Sequence, residues 1–217
     1  MKRFILWDND GVLVDTELWY FKATQRALAE LGIALDQTTY VQRMVHGASS
    51  WELAQQAGIH PQQIAAKRVQ RDAYYESYLG NEAIDIPGVE DILATVARTH
   101  TMAIVTTSTR AHFELIHRNR TLLRHMDFVL TREDYTASKP DPEPYLLALR
   151  KLGASAHECL VVEDSQRGLQ AALAAGIDCA VVHNPFTASH DFTGATHMLK
   201  SLAELPGILH DIHQASH

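Results

Sequence analysis

Short runs of aliphatic and β-branched residues recur along the chain, and polar turn residues bound each run. The runs cover residues 3–7, 100–107, 126–131, 158–163 and 178–183. Because such runs are typical of strands that are buried on both faces, each one predicts a strand. Stretches with helical periodicity lie between the later runs, at residues 89–98, 111–118, 143–152 and 168–175. Strands that alternate with helices predict an α/β fold with a parallel sheet flanked by helices.

The segment of residues 16–85 breaks this alternation, because it contains no convincing strand. Its apolar residues recur at helical spacing within residues 18–31, 38–45, 51–57 and 62–78. Pro87 and Gly88 then mark a turn into the next helix. We therefore predict an all-helical domain of residues 16–85, inserted into an α/β domain made of residues 1–15 and 86–217.

Composition and charge narrow the class of protein. The chain has 217 residues, of which 46% are hydrophobic and 21% are charged, as in ordinary globular proteins and unlike disordered ones. Its 19 Lys and Arg residues against 26 Asp and Glu residues give a net charge of −7. This balance, with scattered basic residues, argues against nucleic-acid binding, which needs a basic face.

The sequence carries no visible targeting or membrane signal. Its opening apolar run ends at Asp8, which is too short for a signal peptide, and no later run suits a membrane span. Cys159 and Cys179 form no close pair or metal-ligand motif, which argues against a disulfide scaffold. We expect a cytoplasmic protein without membrane partners, and a monomer by default.

Two acidic residues follow the first predicted strand. Asp8 and Asp10 are two positions apart, so an extended backbone points both side chains toward one place at the carboxyl end of the strand, where ligands bind in open α/β sheets. Like charges this close favour a bound cation or a division into nucleophile and acid. The alternative is a plain Asp-Gly turn at Gly11. A calcium-binding EF-hand is excluded, because a strand precedes Asp8 and Val12 follows where oxygen ligands are needed.

A second acidic pair, Glu163 and Asp164, ends the fourth predicted strand. If the first and fourth strands are neighbours, these acids join Asp8 in an all-oxygen site of the kind that magnesium prefers. The alternative is that Asp164 or Ser165 only caps the helix that follows.

Hydroxyl groups and one lysine follow the second and third predicted strands. Thr107 and Ser108 come after the second strand, where hydroxyls and backbone N–H groups either hold a phosphoryl oxygen or form an ordinary turn. Lys139 lies in a loop that Pro140 and Pro142 stiffen. Its ammonium group either neutralises an anionic reactant or is solvated in a turn.

In this order, the motifs resemble those of the haloacid dehalogenase-like hydrolase superfamily. The matching residues are Asp8-x-Asp10-Gly11-Val12-x-Val14-Asp15-Thr16-Glu17, Thr107, Lys139-Pro140 and Glu163-Asp164-Ser165-x-x-Gly168. The resemblance spans nearly the whole chain and extends to the branch of β-phosphoglucomutase and small sugar phosphatases, in which a helical cap domain is inserted after the first motif. It implies a Rossmann-like catalytic core with a cap domain at residues 16–85.

The resemblance also implies a role for each motif. Asp8 would be the nucleophile that forms an aspartyl-phosphate, and Asp10 would be the general acid and base. Thr107 would donate a hydrogen bond to the phosphoryl group, and Lys139 would balance the negative charge on the nucleophile and the phosphate.

A magnesium ion is the cofactor that the resemblance implies. Asp8, the carbonyl oxygen of Asp10, and Asp164 would bind it, with Glu163 as an additional or outer ligand. The protein's contribution would then be placement and charge stabilisation, as in phosphoryl transfer generally.

An acid at Asp10 indicates phosphate ester or phosphoanhydride substrates, because halide release in the dehalogenases involves no leaving oxygen to protonate. We expect a phosphatase acting on a small phosphorylated metabolite, a sugar phosphate, with Ser50, Arg71 and Ser108 as substrate contacts. The alternatives are a phosphosugar mutase and a non-catalytic binding protein. The mutases carry His and Arg where this chain has Tyr20 and Ser50, and a binding protein would be expected to lack part of the catalytic set.

Overall fold

The computed structural model describes residues 2–45 and 47–214, and its sheet consists of parallel strands. The strands are β1 (Phe4–Trp7), β2 (Thr101–Val105), β3 (Phe128–Leu130), β4 (Cys159–Glu163), β5 (Asp178–Val182) and β6 (His197–Leu199). Their order across the sheet is β3-β2-β1-β4-β5-β6. The chain therefore builds outward from β1 on one side and then crosses to the other side with β4. The parallel sheet confirms the predicted fold class, and all five predicted strands are present.

The described residues also form a series of α-helices. They are α1 (Glu17–Ala29), α2 (Gln37–Val45), α3 (Glu52–Gln56), α4 (Pro61–Asn81), α5 (Val89–Val96), α6 (Arg110–His117), α7 (Glu143–Leu152), α8 (Gln166–Ala174) and α9 (Leu205–Gln214). The four helices predicted between the strands are present. Gly153 ends α7 in the left-handed conformation, with φ of +60°, as expected for a glycine stop.

The apolar runs form strands that are buried on both faces, because successive side chains point to opposite sides of the sheet. Residues of one face pack in one cluster that includes Ile5, Trp7, Ile104, Leu160 and Val162. Residues of the other face pack in a second cluster that includes Leu6, Val105, Tyr145, Val161 and Cys179. Cys159 and Cys179 are free and buried, in agreement with the expectation that no disulfide scaffold is present.

The sequence pattern does not predict β6 or α9. The β6 strand has three residues, and Met198 in its middle is 56% exposed, so it lacks the apolar run that marks the other strands. Pro206 and Gly207 near the start of α9 argue against a helix on propensity alone. Proline nevertheless suits a first helical turn, and Leu205 and Leu209 anchor the helix in the core.

The chain divides into two compact units. One unit comprises the residues up to Asp15 together with those from Asp85 onward, and the other is Thr16–Ile84. Asp85 belongs to the sheet unit, where it forms an antiparallel bridge with Val14. The helical unit contains α1 to α4 and has its own buried residues, including Phe21 and Tyr75. Within the described part of the chain, none of the helices combines the length and apolar character required to cross a membrane.

Candidate active site

The pairing of β1 with β4 brings the two acidic motifs together. The register places Trp7 opposite Val162, and the Asp8 amide donates to the Val162 carbonyl at 2.9 Å. The condition set for a shared site, that the first and fourth strands are neighbours, is therefore met. One carboxylate oxygen from each of Asp8, Glu163 and Asp164 lies within 4.8 Å of the others, and all three residues are buried.

Lys139 is the cation of this cluster, and it is 4% exposed. Its ammonium donates to Asp8 Oδ1 at 2.7 Å, to Glu163 Oε1 at 2.7 Å and to the Val105 carbonyl at 2.8 Å. Burial alone would lower the pKa of Lys139, but the adjacent Asp8 and Glu163 carboxylates raise it above its ordinary value. The lysine therefore stays charged, with its three donors directed at fixed oxygens.

Both oxygens of the Glu163 carboxylate accept several hydrogen bonds. Oε1 accepts from Lys139 and from the Tyr145 hydroxyl at 2.8 Å, and Oε2 accepts from the Asp164 amide at 3.2 Å and the Ser165 hydroxyl at 3.1 Å. Burial favours a raised pKa for Glu163, but Lys139 and these donors lower it overall. Because protein donors occupy both of its oxygens, Glu163 is better placed to hold Lys139 than to bind a metal ion directly.

Gly11 and Asn184 shape the space around Asp164. Gly11 has a φ of +83°, and a Cβ there would lie 2.1 Å from Asp164 Oδ2. The Asn184 side-chain amide donates to the same oxygen at 2.8 Å, and its own Oδ1 accepts from the Phe186 amide at 2.9 Å. One oxygen of Asp164 is thus held in place by a group that is itself held by backbone.

Donors from three residues converge on one oxygen of Asp10. Its Oδ2 accepts from Ser108 Oγ at 2.8 Å, Thr106 Oγ1 at 3.2 Å and Asn9 Nδ2 at 3.2 Å. Ser108 therefore contacts Asp10, whereas Thr107 lies half-buried between the two residues that do so. The phosphoryl-binding role of Thr107 stays a prediction.

The electrostatics of the site favour a divalent cation. Asp8, Glu163 and Asp164 bring three buried carboxyl groups together, and the ammonium of Lys139 contacts two of them. Burial and the Glu163 charge raise the pKa of Asp8 to about 7, against the opposing effect of Lys139. An all-oxygen donor set with surplus negative charge fits a hard cation such as Mg²⁺. The residues present therefore fit the metal that the sequence predicts.

The two predicted substrate contacts of the helical unit lie within that unit. Ser50 is buried. Arg71 Nε donates to Asp72 Oδ1 at 2.8 Å, and the Arg71 guanidinium carbon lies 4.4 Å from the centroid of the Tyr20 ring. Their contribution to substrate binding stays a prediction.

Sequence reasoning missed Thr106, Tyr145 and Asn184. Thr106 and Asn184 each follow a strand at its carboxyl end, and this position is the signal that could have found them. Tyr145 is fully buried on α7 among apolar residues, so its sequence context indicates a core residue. Only the fold shows that its hydroxyl donates to the Glu163 carboxylate.

The comparisons with known proteins agree on one family. The model of the haloacid dehalogenase-like hydrolases matches residues 5–182. Fructose-1-phosphate phosphatase YqaB of Escherichia coli is 29% identical, over 82% of this chain and 95% of that protein. Phosphorylated carbohydrates phosphatase of Thermotoga maritima is 31% identical, over 83% of this chain and 85% of that protein. The crystal structure of CbbY from Rhodobacter sphaeroides in complex with phosphate superposes with a TM-score of 0.80 at 28% identity, over 94% of this chain and 96% of that one.

Proposed function

Because the chain belongs to the haloacid dehalogenase-like hydrolase family, we propose that it is a magnesium-dependent phosphatase that hydrolyses a small phosphorylated metabolite through a phosphorylated Asp8. The observation that carries the proposal is the buried contact of Lys139 with Asp8 and Glu163, at 2.7 Å each. A buried ammonium beside a candidate nucleophile can neutralise an incoming phosphate, which arrives with negative charge.

Asp8 and Asp10 divide the chemistry between them. A carboxylate oxygen of Asp8 attacks phosphorus, the bond from phosphorus to the ester oxygen breaks, and Asp10 gives that oxygen a proton. Water then attacks phosphorus, Asp10 takes a proton from this water, and the bond from phosphorus to Asp8 breaks, which releases inorganic phosphate and restores the Asp8 carboxylate. General acid and base catalysis of this kind contributes about 10²–10⁴-fold to the rate.

Asp8, Asp164 and the carbonyl oxygen of Asp10 are the groups that would hold Mg²⁺. When bound, the ion supplies positive charge that favours ionised carboxylates and stabilises the transferring phosphoryl group. Asn184 orients Asp164, and Lys139 adds a second positive charge at Oδ1 of Asp8. Glu163 holds the ammonium of Lys139 in place, and we assign it no direct role as a metal ligand.

Thr107 is the group that we assign to the phosphoryl oxygens, together with backbone N–H groups that follow β2. Ser108 is committed to Asp10 in this structure through its 2.8 Å hydrogen bond, so we assign it to the support of the acid as well as to substrate contact. Within the helical unit, Ser50 and Arg71 are retained as candidate substrate contacts, since arginine is well suited to phosphate and polar sugar groups.

The names of two relatives support a substrate class. One is described as a phosphatase of phosphorylated carbohydrates and another as a fructose-1-phosphate phosphatase. Both descriptions support a sugar phosphate as the substrate of this chain.

A phosphate-release assay tests the proposal. A panel of sugar phosphates is incubated with the enzyme and Mg²⁺, with and without EDTA, and inorganic phosphate is measured. We expect release only with Mg²⁺, and none from the Asp8→Asn variant. Asp127→Asn is the matched control, because Asp127 is exposed at the amino end of β3 and should retain full activity. Metal-dependent hydrolysis by Asp8→Asn would refute the nucleophile.

The same reactions distinguish a phosphatase from a mutase. A mutase would convert a sugar 1-phosphate into the 6-phosphate faster than inorganic phosphate appears. We expect phosphate to be the main product, since Tyr20 and Ser50 replace the mutase His and Arg.

A further inference from the structure

A buried histidine lies beside the candidate catalytic loop without a role in the chemistry described above. His117 is the last residue of α6 and is 4% exposed. Its Nε2 lies 2.8 Å from Asn9 Oδ1, and its ring packs on Phe113 with a centroid distance of 4.4 Å. Its Nδ1 is buried without a hydrogen-bond partner among the described residues. Burial of an unpaired ring nitrogen costs stability. A histidine at this position therefore suggests that the contact of its other nitrogen, Nε2, has a role.

Asn9 is the residue that this histidine contacts, and it is fully buried. Its backbone carbonyl accepts from the amides of residues 12–14, at 2.8 to 3.3 Å, which fixes the backbone of the loop. Its side-chain Nδ2 lies 3.2 Å from Asp10 Oδ2. The side chain of Asn9 therefore bridges His117 and the proposed general acid.

The direction of this bridge depends on the histidine. An amide can rotate by half a turn and exchange its oxygen and nitrogen, and an Asn9 oxygen facing Asp10 would repel the carboxylate. A neutral His117 with its proton on Nε2 donates to Asn9 Oδ1 and excludes that orientation. Burial lowers the pKa of His117 to about 4, although the Asp10 charge opposes this shift, so the neutral form is the stable one near neutral pH.

We propose that His117 is a positioning residue that orients Asn9 so that the Asn9 side-chain amide holds Oδ2 of Asp10, the proposed general acid. Ser108 and Thr106 donate to the same oxygen, so Asn9 completes a set of three side-chain donors that fixes the Asp10 carboxylate. The inference rests on the proposed function in one respect, which is the role of Asp10 as the proton donor.

Leaving-group dependence separates this role from a merely structural one. Phenyl phosphate and p-nitrophenyl phosphate are similar in size, but the nitro group stabilises the departing phenolate, which then needs less help from an acid. We expect His117→Phe, which keeps an aromatic ring but removes the donor, to reduce kcat on phenyl phosphate about tenfold more than on p-nitrophenyl phosphate. A loss of folded protein alone would reduce both rates equally.

Three further variants sharpen the comparison. His117→Gln retains an N–H donor and should restore most of the selective loss. Ile116→Val changes the fully buried neighbour on the same helix and should leave the ratio of the two rates unchanged. In an Asp10→Asn background, His117→Phe should cause no additional selective loss, because residues that act as one unit are not additive.

Nitrogen NMR tests the pair without any substrate. In the wild-type protein, we expect the ¹⁵N shifts of His117 to report the neutral tautomer with the proton on Nε2 at pH 7. If wild-type protein with Mg²⁺ released phosphate neither from these esters nor from the sugar phosphates, the proposed function would fail, and the tautomer of His117 would still test its contact with Asn9. A proton on Nδ1, a charged His117 at pH 7, or equal losses on the two esters would overturn the positioning role.

Discussion

Replacing Gly11 with alanine tests how the two acidic motifs fit together. Gly11 has a φ of +83°, and an added Cβ would lie 2.1 Å from Asp164 Oδ2 and 2.6 Å from Asn184 Nδ2. Real Cβ atoms essentially never approach other atoms within 3.0 Å, so the Asp164 carboxylate must move away. The substitution therefore has two effects. It forces an L-residue into the left-handed backbone conformation, and it displaces the Asp164 carboxylate.

The backbone penalty can be measured separately at Gly88. This residue has a φ of +82°, and nothing lies within 4 Å of the position that its Cβ would occupy. We expect Gly88→Ala to lower the free energy of unfolding by about 1–2 kcal/mol, the cost of the left-handed conformation for an L-residue. For a chain of this size, each kcal/mol corresponds to a change in Tm of about 2–4 °C.

Gly11→Ala should show this same loss of stability and, in addition, a weaker metal site. Displacement of an oriented ligand group typically reduces metal affinity about 10- to 100-fold. Thermal unfolding measures the first effect, and calorimetric titration with Mg²⁺ measures the second in wild type, Gly11→Ala and Gly88→Ala. If Gly11→Ala bound Mg²⁺ as tightly as Gly88→Ala, the proposed dependence of the metal site on the Asp164 position would be refuted.

Three other changes test the charges and hydrogen bonds of the site. Lys139→Met should destabilise the fold by about 3–5 kcal/mol in urea unfolding without added metal, because it leaves two buried carboxylates without their shared cation; a loss below about 1 kcal/mol would contradict this. Burial lowers the pKa of His117 from 6.5 to about 4, so the folded state resists protonation and stability should fall by up to about 3 kcal/mol as the pH drops from 6.5 to 4. His117→Phe should flatten that dependence, and an unchanged slope would assign it to other groups. Asn184→Ala should weaken Mg²⁺ binding about 10- to 100-fold in calorimetry, and an unchanged affinity would remove its orienting role.

The strands and the candidate site differ in how far the sequence could predict them. The buried strands can be predicted because both of their faces must be apolar, which produces a continuous apolar run. The acidic residues of the site can then be found because they stand directly after such runs. Whether β1 and β4 are neighbours does not follow from periodicity, since strand order depends on how the crossovers pack. The sequence therefore predicts a shared acidic site only if β1 and β4 are neighbours, and the register of Trp7 opposite Val162 shows that they are.

The supporting groups of the site were harder to predict, because their partners are distant in sequence. Tyr145 and Asn184 look like a core aromatic residue and a turn residue, and only the fold shows that they donate to Glu163 and Asp164. The fully buried Asn9 is different, since a polar residue between two acids is visible in the sequence. Its partner His117 is not, because 108 positions separate them.

The glycines of the two acidic motifs have a common physical reason. Gly11 faces the carboxylate of Asp164, which belongs to the other motif, and a Cβ at Gly168 would lie 1.8 Å from the carboxyl carbon of Glu163. Each glycine therefore provides space for a carboxylate that must be buried close to backbone. Because β1 and β4 are adjacent, a larger side chain at residue 11 would occupy the volume of a group delivered by the neighbouring strand. The first and fourth motifs consequently constrain each other in size as well as in charge, and a substitution at Gly11 or Gly168 should act on the carboxylate before it acts on the fold.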